Sequence, residues 1–237
     1  MANPNPFPYQ PPSGVPGAGV ATDLRSYLIR VYNYMAGALV VTGLAAYVGA
    51  ASGFYVSTIG TPLYWIILLS PLALVFLLGY RIQRMSVGAA QLTFWVFAVL
   101  LGLSLSGIFF AYSGESLARV FFITAATFGG ASLYAYTTRR DLSRWGSFLF
   151  MGLFGVIIAM VVNIFLKSTV LQMTLSVMGV IVFTGLAAYD TQKIRAFYVY
   201  GEDGSIATKK TIIGALSLYL DFLNLFLSLL RLVGGRR

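Results

Sequence analysis

The chain alternates between long uncharged stretches and short clusters of charge. Positions 31–80, 85–114, 120–138, 145–166 and 168–189 carry no charged residue, and 211–230 carries one, Asp221. A membrane-spanning helix needs about 20 consecutive apolar residues. The first stretch is long enough for two helices, split near Ser52 to Pro62, and each of the others holds one. The pattern predicts an all-α polytopic membrane protein with seven transmembrane helices.

The last span has a second pattern inside the first. Gly214, Ser217, Asp221, Asn224 and Ser228 are spaced three or four residues apart, which sets all five on one face of a helix. The remaining positions are almost all apolar. A narrow polar stripe within a bilayer must face protein or water, so this helix is expected at the centre of the bundle or along a cavity. The alternative is an interhelical hydrogen-bond seam with Asp221 permanently protonated.

Composition supports the membrane reading. Of 237 residues, 58% are hydrophobic and 10% charged, and the mean hydropathy is +0.82, well above that of a soluble domain. The net charge of +9 comes from basic residues scattered at the ends of apolar spans, a pattern of topology and not of nucleic-acid binding. Arg25 and Arg30, Arg81 and Arg84, Arg139, Arg140 and Arg144, and Lys193, Arg195, Lys209 and Lys210 fall in alternate segments. The positive-inside rule makes those segments and the N-terminus cytoplasmic. The intervening loops carry only Arg119 and Lys167. Seven full spans then leave Arg231, Arg236 and Arg237 outside, unless the last segment is re-entrant.

Residues 1–24 are expected to form a disordered tail, rich in Pro, Gly and Ala at its start and without the features of a cleaved signal peptide, and 25–237 the transmembrane domain. Gly152, Gly155 and Ala159 in the fifth span, and Gly129, Gly130 and Ala131 in the fourth, are candidates for close helix approach. Trp65, Tyr80, Tyr112, Tyr136 and Trp145 fit an interfacial aromatic belt.

The chain has no cysteine and no histidine, so thiol chemistry and the usual proton shuttle are excluded. No cofactor and no catalytic residue are expected. What remains is a pair of carboxylates. Asp190 lies near the cytoplasmic end of the sixth span, where Lys193 and Arg195 can snorkel and let the helix continue through Ala196 toward Tyr200. A cytoplasmic loop joins the last two spans, so Asp190 and Asp221 sit in antiparallel neighbours and can meet. Two carboxylates in a low dielectric cannot both ionise cheaply and exchange protons as a unit. Oxygen ligands also suit a hard cation such as Ca²⁺. Arg81 is the candidate cation that favours ionisation of Asp190, and Arg84 is the next.

Four segments resemble the Bax inhibitor-1 (transmembrane BAX inhibitor motif) family: GLAAYDTQKI (185–194), ALSLYLDFLNLFLSLLR (215–231), SLYAYTTRRDLS (132–143) and VNIFLKS (162–168). The last two resemble bacterial inner-membrane members in particular, and the similarity runs from about Ser26 to the C-terminus. The resemblance implies two three-helix layers around a central C-terminal helix. It also implies a passive, pH-sensitive Ca²⁺ leak gated by paired aspartates, matching Asp190 and Asp221, with an arginine latch matching Arg81 and a stripe of Ser217, Asn224 and Ser228 along the pore. Relatives carry a second-span carboxylate that this chain lacks. Some bacterial relatives imply a different role: a non-conducting regulator of a membrane-bound AAA protease or stress response, acting through an N-terminal tail. An intramembrane aspartyl protease is a third class, but it requires a Gly-x-Gly-Asp turn where this chain has Leu218, Tyr219, Leu220 and Asp221. The reading is therefore of a non-enzyme.

Overall fold

The computed structural model describes residues 16–235, and among these every regular element is helical. The long helices are α1 (Pro16–Ala51), α3 (Pro62–Arg81), α4 (Val87–Ser104), α6 (Gly114–Thr137), α7 (Ser143–Leu166), α8 (Thr169–Ala196) and α9 (Gly204–Val233). Short helices α2 (Phe54–Thr58) and α5 (Ile108–Ala111) lie in connections, and a 3₁₀ turn, Ile82–Arg84, follows α3. All seven long helices are apolar and long enough to cross a membrane. Of the expected tail, residues 1–15 lie outside the described part; α1 is already helical at Pro16.

Helix boundaries fall where the local chemistry changes. Ser86, Ser113 and Ser168 each accept a hydrogen bond from a backbone amide three residues on, capping α4, α6 and α8. Pro62 opens α3, where its missing N–H costs nothing. The division of the first uncharged stretch near Ser52 to Pro62 coincides with the gap that holds α2.

The helices form two layers with α9 between them. α1 packs on α4 and α4 on α3, while α6 and α7 both pack on α8. α9 touches α1, α4, α6 and α8. α3 and α7 form the outer flanks, with large apolar side chains such as Phe76, Met151, Phe154 and Phe165 exposed. α9 is buried over nearly its whole circumference, and its apolar Phe222 and Phe226 are covered as well as its polar stripe, by Phe121 and Phe128 of α6. α9 also runs unbroken for 30 residues and is long and apolar enough to cross a membrane.

The glycines that permit close approach are mostly ones the sequence pattern did not single out. A Cβ on Gly102 of α4 would stand 2.5 Å from the Thr42 carbonyl oxygen of α1, and one on Gly179 of α8 would collide with the Ser228 hydroxyl of α9. Among the glycines expected to do this, Gly152 faces Val182 at 3.1 Å, whereas Gly129, Gly130 and Gly155 have open space.

The α8–α9 hairpin, which holds the two aspartates in register, is pinned at its turn. α8 ends at Ala196, short of Tyr200. Lys210 Nζ donates to Glu202 Oε1 at 2.6 Å and to the Phe197 carbonyl at 3.1 Å. Asp203 caps α9, accepting from the amides of Ser205 and Ile206 and from the Ser205 hydroxyl. Those hydrogen bonds, the Ser205 side chain first, hold the Asp203 carboxyl below the usual carboxylate range.

A candidate carboxylate site between α8 and α9

α8 and α9 run antiparallel with the polar stripe of α9 turned onto α8. Gly214 packs against Ile194, Ser217 faces Asp190, and Ser228 fills the space left by Gly179. Advancing along α9 thus means retreating along α8. The register sets Asp221 close enough to Asp190 for their charges to interact.

Both carboxylates are buried, Asp190 at 8% exposure and Asp221 at 6%. Asp190 Oδ1 and Asp221 Oδ2 have no hydrogen-bond partner among the described residues. An unpaired buried acceptor costs about 1–3 kcal/mol, and more when charged. The arrangement is therefore tolerated for a reason other than stability, or it holds a proton or ion that answers those oxygens. The cation whose charge reaches both groups is Lys193, one turn beyond Asp190 on α8. Its ammonium also lies over the rings of Tyr189 and Phe197, 5.8 and 5.6 Å from their centroids.

The other expected site residues divide into two groups. Ser217 joins the pair. Asn224 Nδ2 donates to the Leu220 carbonyl at 2.8 Å, and Ser228 Oγ donates to the Asn224 carbonyl at 2.7 Å. Both side chains thus donate to the backbone of their own helix. Arg81 is exposed at the end of α3 and forms no ion pair among the described residues. The structure brings Asp190, Asp221, Ser217 and Lys193 together and leaves Arg81 and Arg84 outside the group.

A polar network surrounds this pair. Thr191, next to Asp190, bonds the Ser132 hydroxyl of α6 and the Tyr32 hydroxyl of α1, each at 3.2 Å. Deeper in the bundle Thr42 Oγ1 donates to the Ala98 carbonyl at 2.9 Å and shares a 2.6 Å hydrogen bond with the buried Tyr219 hydroxyl. These contacts tie α1, α4 and α9 at one level. Their sequence signal is faint, because isolated Thr and Tyr residues recur throughout the spans. Beside Thr191 a cleft of about 480 Å³ opens between α1 and α6, with Arg25, Tyr32, Asn33 and Ser132 on its wall.

No group of three or more acidic side chains able to hold a metal ion occurs among the described residues. The pair supplies carboxylate oxygens and one hydroxyl, whereas Ca²⁺ takes 6–8 oxygen ligands. A cation here would keep part of its water shell.

Residues 24–237 match the family model described as inhibitor of apoptosis-promoting Bax1. The chain belongs to the Bax inhibitor-1 family. Within it, the chain is 48% identical over 217 residues to the protein RP147 of Rickettsia prowazekii, covering 90% of this chain and 91% of the relative. It is 44% identical over 218 residues to the inner membrane protein YbhL of Escherichia coli K12, covering 90% and 93%. A Caulobacter vibrioides protein is 42% identical over 229 residues, covering 92% of each chain. The Bax inhibitor-1 match begins within α1 and takes in all of α2 to α9, so the two aspartates lie inside it.

Proposed function

We propose that this Bax inhibitor-1 family protein is a passive, pH-sensitive cation leak with Ca²⁺ as the carried ion, and that Asp190 and Asp221 form its proton- and cation-exchanging site. The observation that carries the reading is the pair of unpartnered buried oxygens, Asp190 Oδ1 and Asp221 Oδ2, on facing helices at the centre of the bundle. Close carboxylates in a low dielectric take up and release protons as one unit. A proton bridging them and a hydrated cation between them are alternative answers to the same unmet acceptors, so proton and ion compete for one site.

A nearby cation holds the pair in its resting arrangement. The charge of Lys193 reaches both aspartates, whereas Arg81 forms no ion pair among the described residues. We assign the latch first to Lys193 and second to Arg81. Asn224 and Ser228, on the same face of α9 as Asp221, continue the site as its pore-lining stripe. The protein is read as a non-enzyme with no cofactor. Its basic segments argue for a cytoplasmic N-terminus, and its likeness to YbhL supports the bacterial inner membrane.

The test is Ca²⁺ flux in proteoliposomes from about pH 5 to about pH 8 for the wild type, Asp190→Asn and Asp221→Asn. The expected result is a pH-dependent wild-type flux whose dependence flattens in either variant. Three identical curves would overturn the reading and favour the non-conducting regulator of a membrane-bound AAA protease, acting through the tail outside the described residues.

A further inference from the structure

At the opposite end of α8 and α9 from Asp190, two basic residues that the distribution of charge leaves unexplained converge on one pocket. Lys167 terminates α7, and Arg231 lies in the last turn of α9. Both fall on the face that is otherwise poor in basic residues and that the positive-inside rule makes the outer one. They line a pocket of about 470 Å³ together with Asn163, Gln172, Ile164 and Leu175.

Every polar side chain in this wall can donate, and none is a carboxylate. Neither Lys167 nor Arg231 has an ion-pair partner among the described residues. The Asn163 side chain spends its oxygen on the Ser168 amide, at 3.0 Å, which leaves its NH₂ free. Gln172 stands in the first turn of the 28-residue α8, where the helix dipole adds positive potential. Lys167 is also the one non-glycine residue with positive φ among those described, at 49°. Glycine or asparagine usually ends a helix in this conformation, so this backbone carries a lysine against local preference.

We propose that this pocket binds a phosphate group, and specifically the phosphodiester headgroup of an anionic phospholipid in the facing leaflet. Two cations and two amides match a singly charged phosphodiester with its several acceptor oxygens. The location argues for a lipid as the carrier. The pocket sits at the ends of the spans, at headgroup level, and its apolar wall continues into the exposed surface of α7, where Ile164 and Phe165 are open to the acyl region. The zwitterionic lipids of the same leaflet bring a compensating cation into a wall that offers it no carboxylate.

Native mass spectrometry of the full chain tests this, with phosphatidylglycerol, phosphatidylcholine or inorganic phosphate added to the micelles. Phosphatidylglycerol should be retained about tenfold better than phosphatidylcholine, and Lys167→Gly with Arg231→Gln should abolish the difference. Lys167→Gly suits the backbone it replaces, and circular dichroism confirms that the double variant is folded. Arg119→Gln, on the same face but outside the pocket, should leave retention unchanged. Equal retention of the two lipids, or a preference that survives the double variant, overturns the proposal. Inorganic phosphate bound without any lipid preference overturns the lipid assignment and makes the site one for free phosphate.

Discussion

α7 and α9 are both long apolar helices, and α7 is the more hydrophobic of the two, yet they occupy opposite places. Phe154 of α7 is 63% exposed whereas Phe222 of α9 is 3% exposed. In a bilayer, lipid tails solvate an apolar side chain about as well as other apolar side chains do, so hydropathy brings a helix into the membrane without deciding its neighbours. The decision falls to the few groups that lipid cannot solvate. α9 carries Ser217, Asp221, Asn224 and Ser228 on one face, and covering that face on α8 draws the rest of the helix inside. α7 has no comparable stripe, and it stays at the flank.

This contrast predicts unequal costs for equal substitutions. Phe222→Ala should destabilise the folded state by about 3 kcal/mol, through the cavity left among Phe121 and Phe128. Phe154→Ala should change stability by less than about 0.5 kcal/mol. Reversible unfolding in mixed micelles measures both, and equal effects would remove the distinction between central and flanking helices. A smaller version of the same test uses glycines. Gly179→Val forces a methyl group into Ser228 and should cost about 1–3 kcal/mol, while Gly155→Val, with open space around it, should be nearly neutral.

The next prediction concerns the pair itself. Lys193→Gln removes the cation whose charge reaches both aspartates and should raise Ca²⁺ flux at neutral pH severalfold, with Arg81→Ala having the lesser effect. A leak raised by Arg81→Ala alone would restore Arg81 as the latch and imply that α3 reaches α8 in the resting protein.

The features of this fold differ in how far a single segment of sequence encodes them. Seven spans and the central place of α9 could be read because charge spacing and a 3-4-3-4 stripe are properties of single segments. Asp190 and Asp221 were legible because an acid in an apolar run is conspicuous. The choice between candidate cations was less legible, since Arg81 and Lys193 both stand at span ends, and it takes the folded α8 to set Lys193 one turn from Asp190. The glycines mislead for the same reason: Gly155 and Gly179 look alike in sequence, and only Gly179 faces a neighbour. The Thr42 to Tyr219 contact crosses three helices and leaves no local mark.

The smallest effect is expected at the α8–α9 turn. Hydrogen bonds from Ser205 and Ile206 hold the Asp203 carboxyl below its usual range, so its ionised form stabilises the start of α9. A group with a lowered folded value contributes above the unfolded value and loses that contribution as pH falls through the folded one. Asp203→Ala should therefore speed amide exchange in the first turn of α9 at neutral pH. The difference from wild type should vanish at pH well below about 4, and a difference that persists there would mean the cap does not depend on charge.

The central claim is that Asp190 and Asp221 act as one site, and infrared difference spectroscopy of carboxyl groups during a pH titration tests it most directly. Protonated carboxyls absorb apart from carboxylates and amides, and Asp190→Asn and Asp221→Asn each leave a single carboxyl at the site. The account predicts that removing either aspartate moves both the frequency and the titration midpoint of the one that remains. A remaining band identical in position and midpoint to its wild-type counterpart would contradict it and leave two independent buried acids.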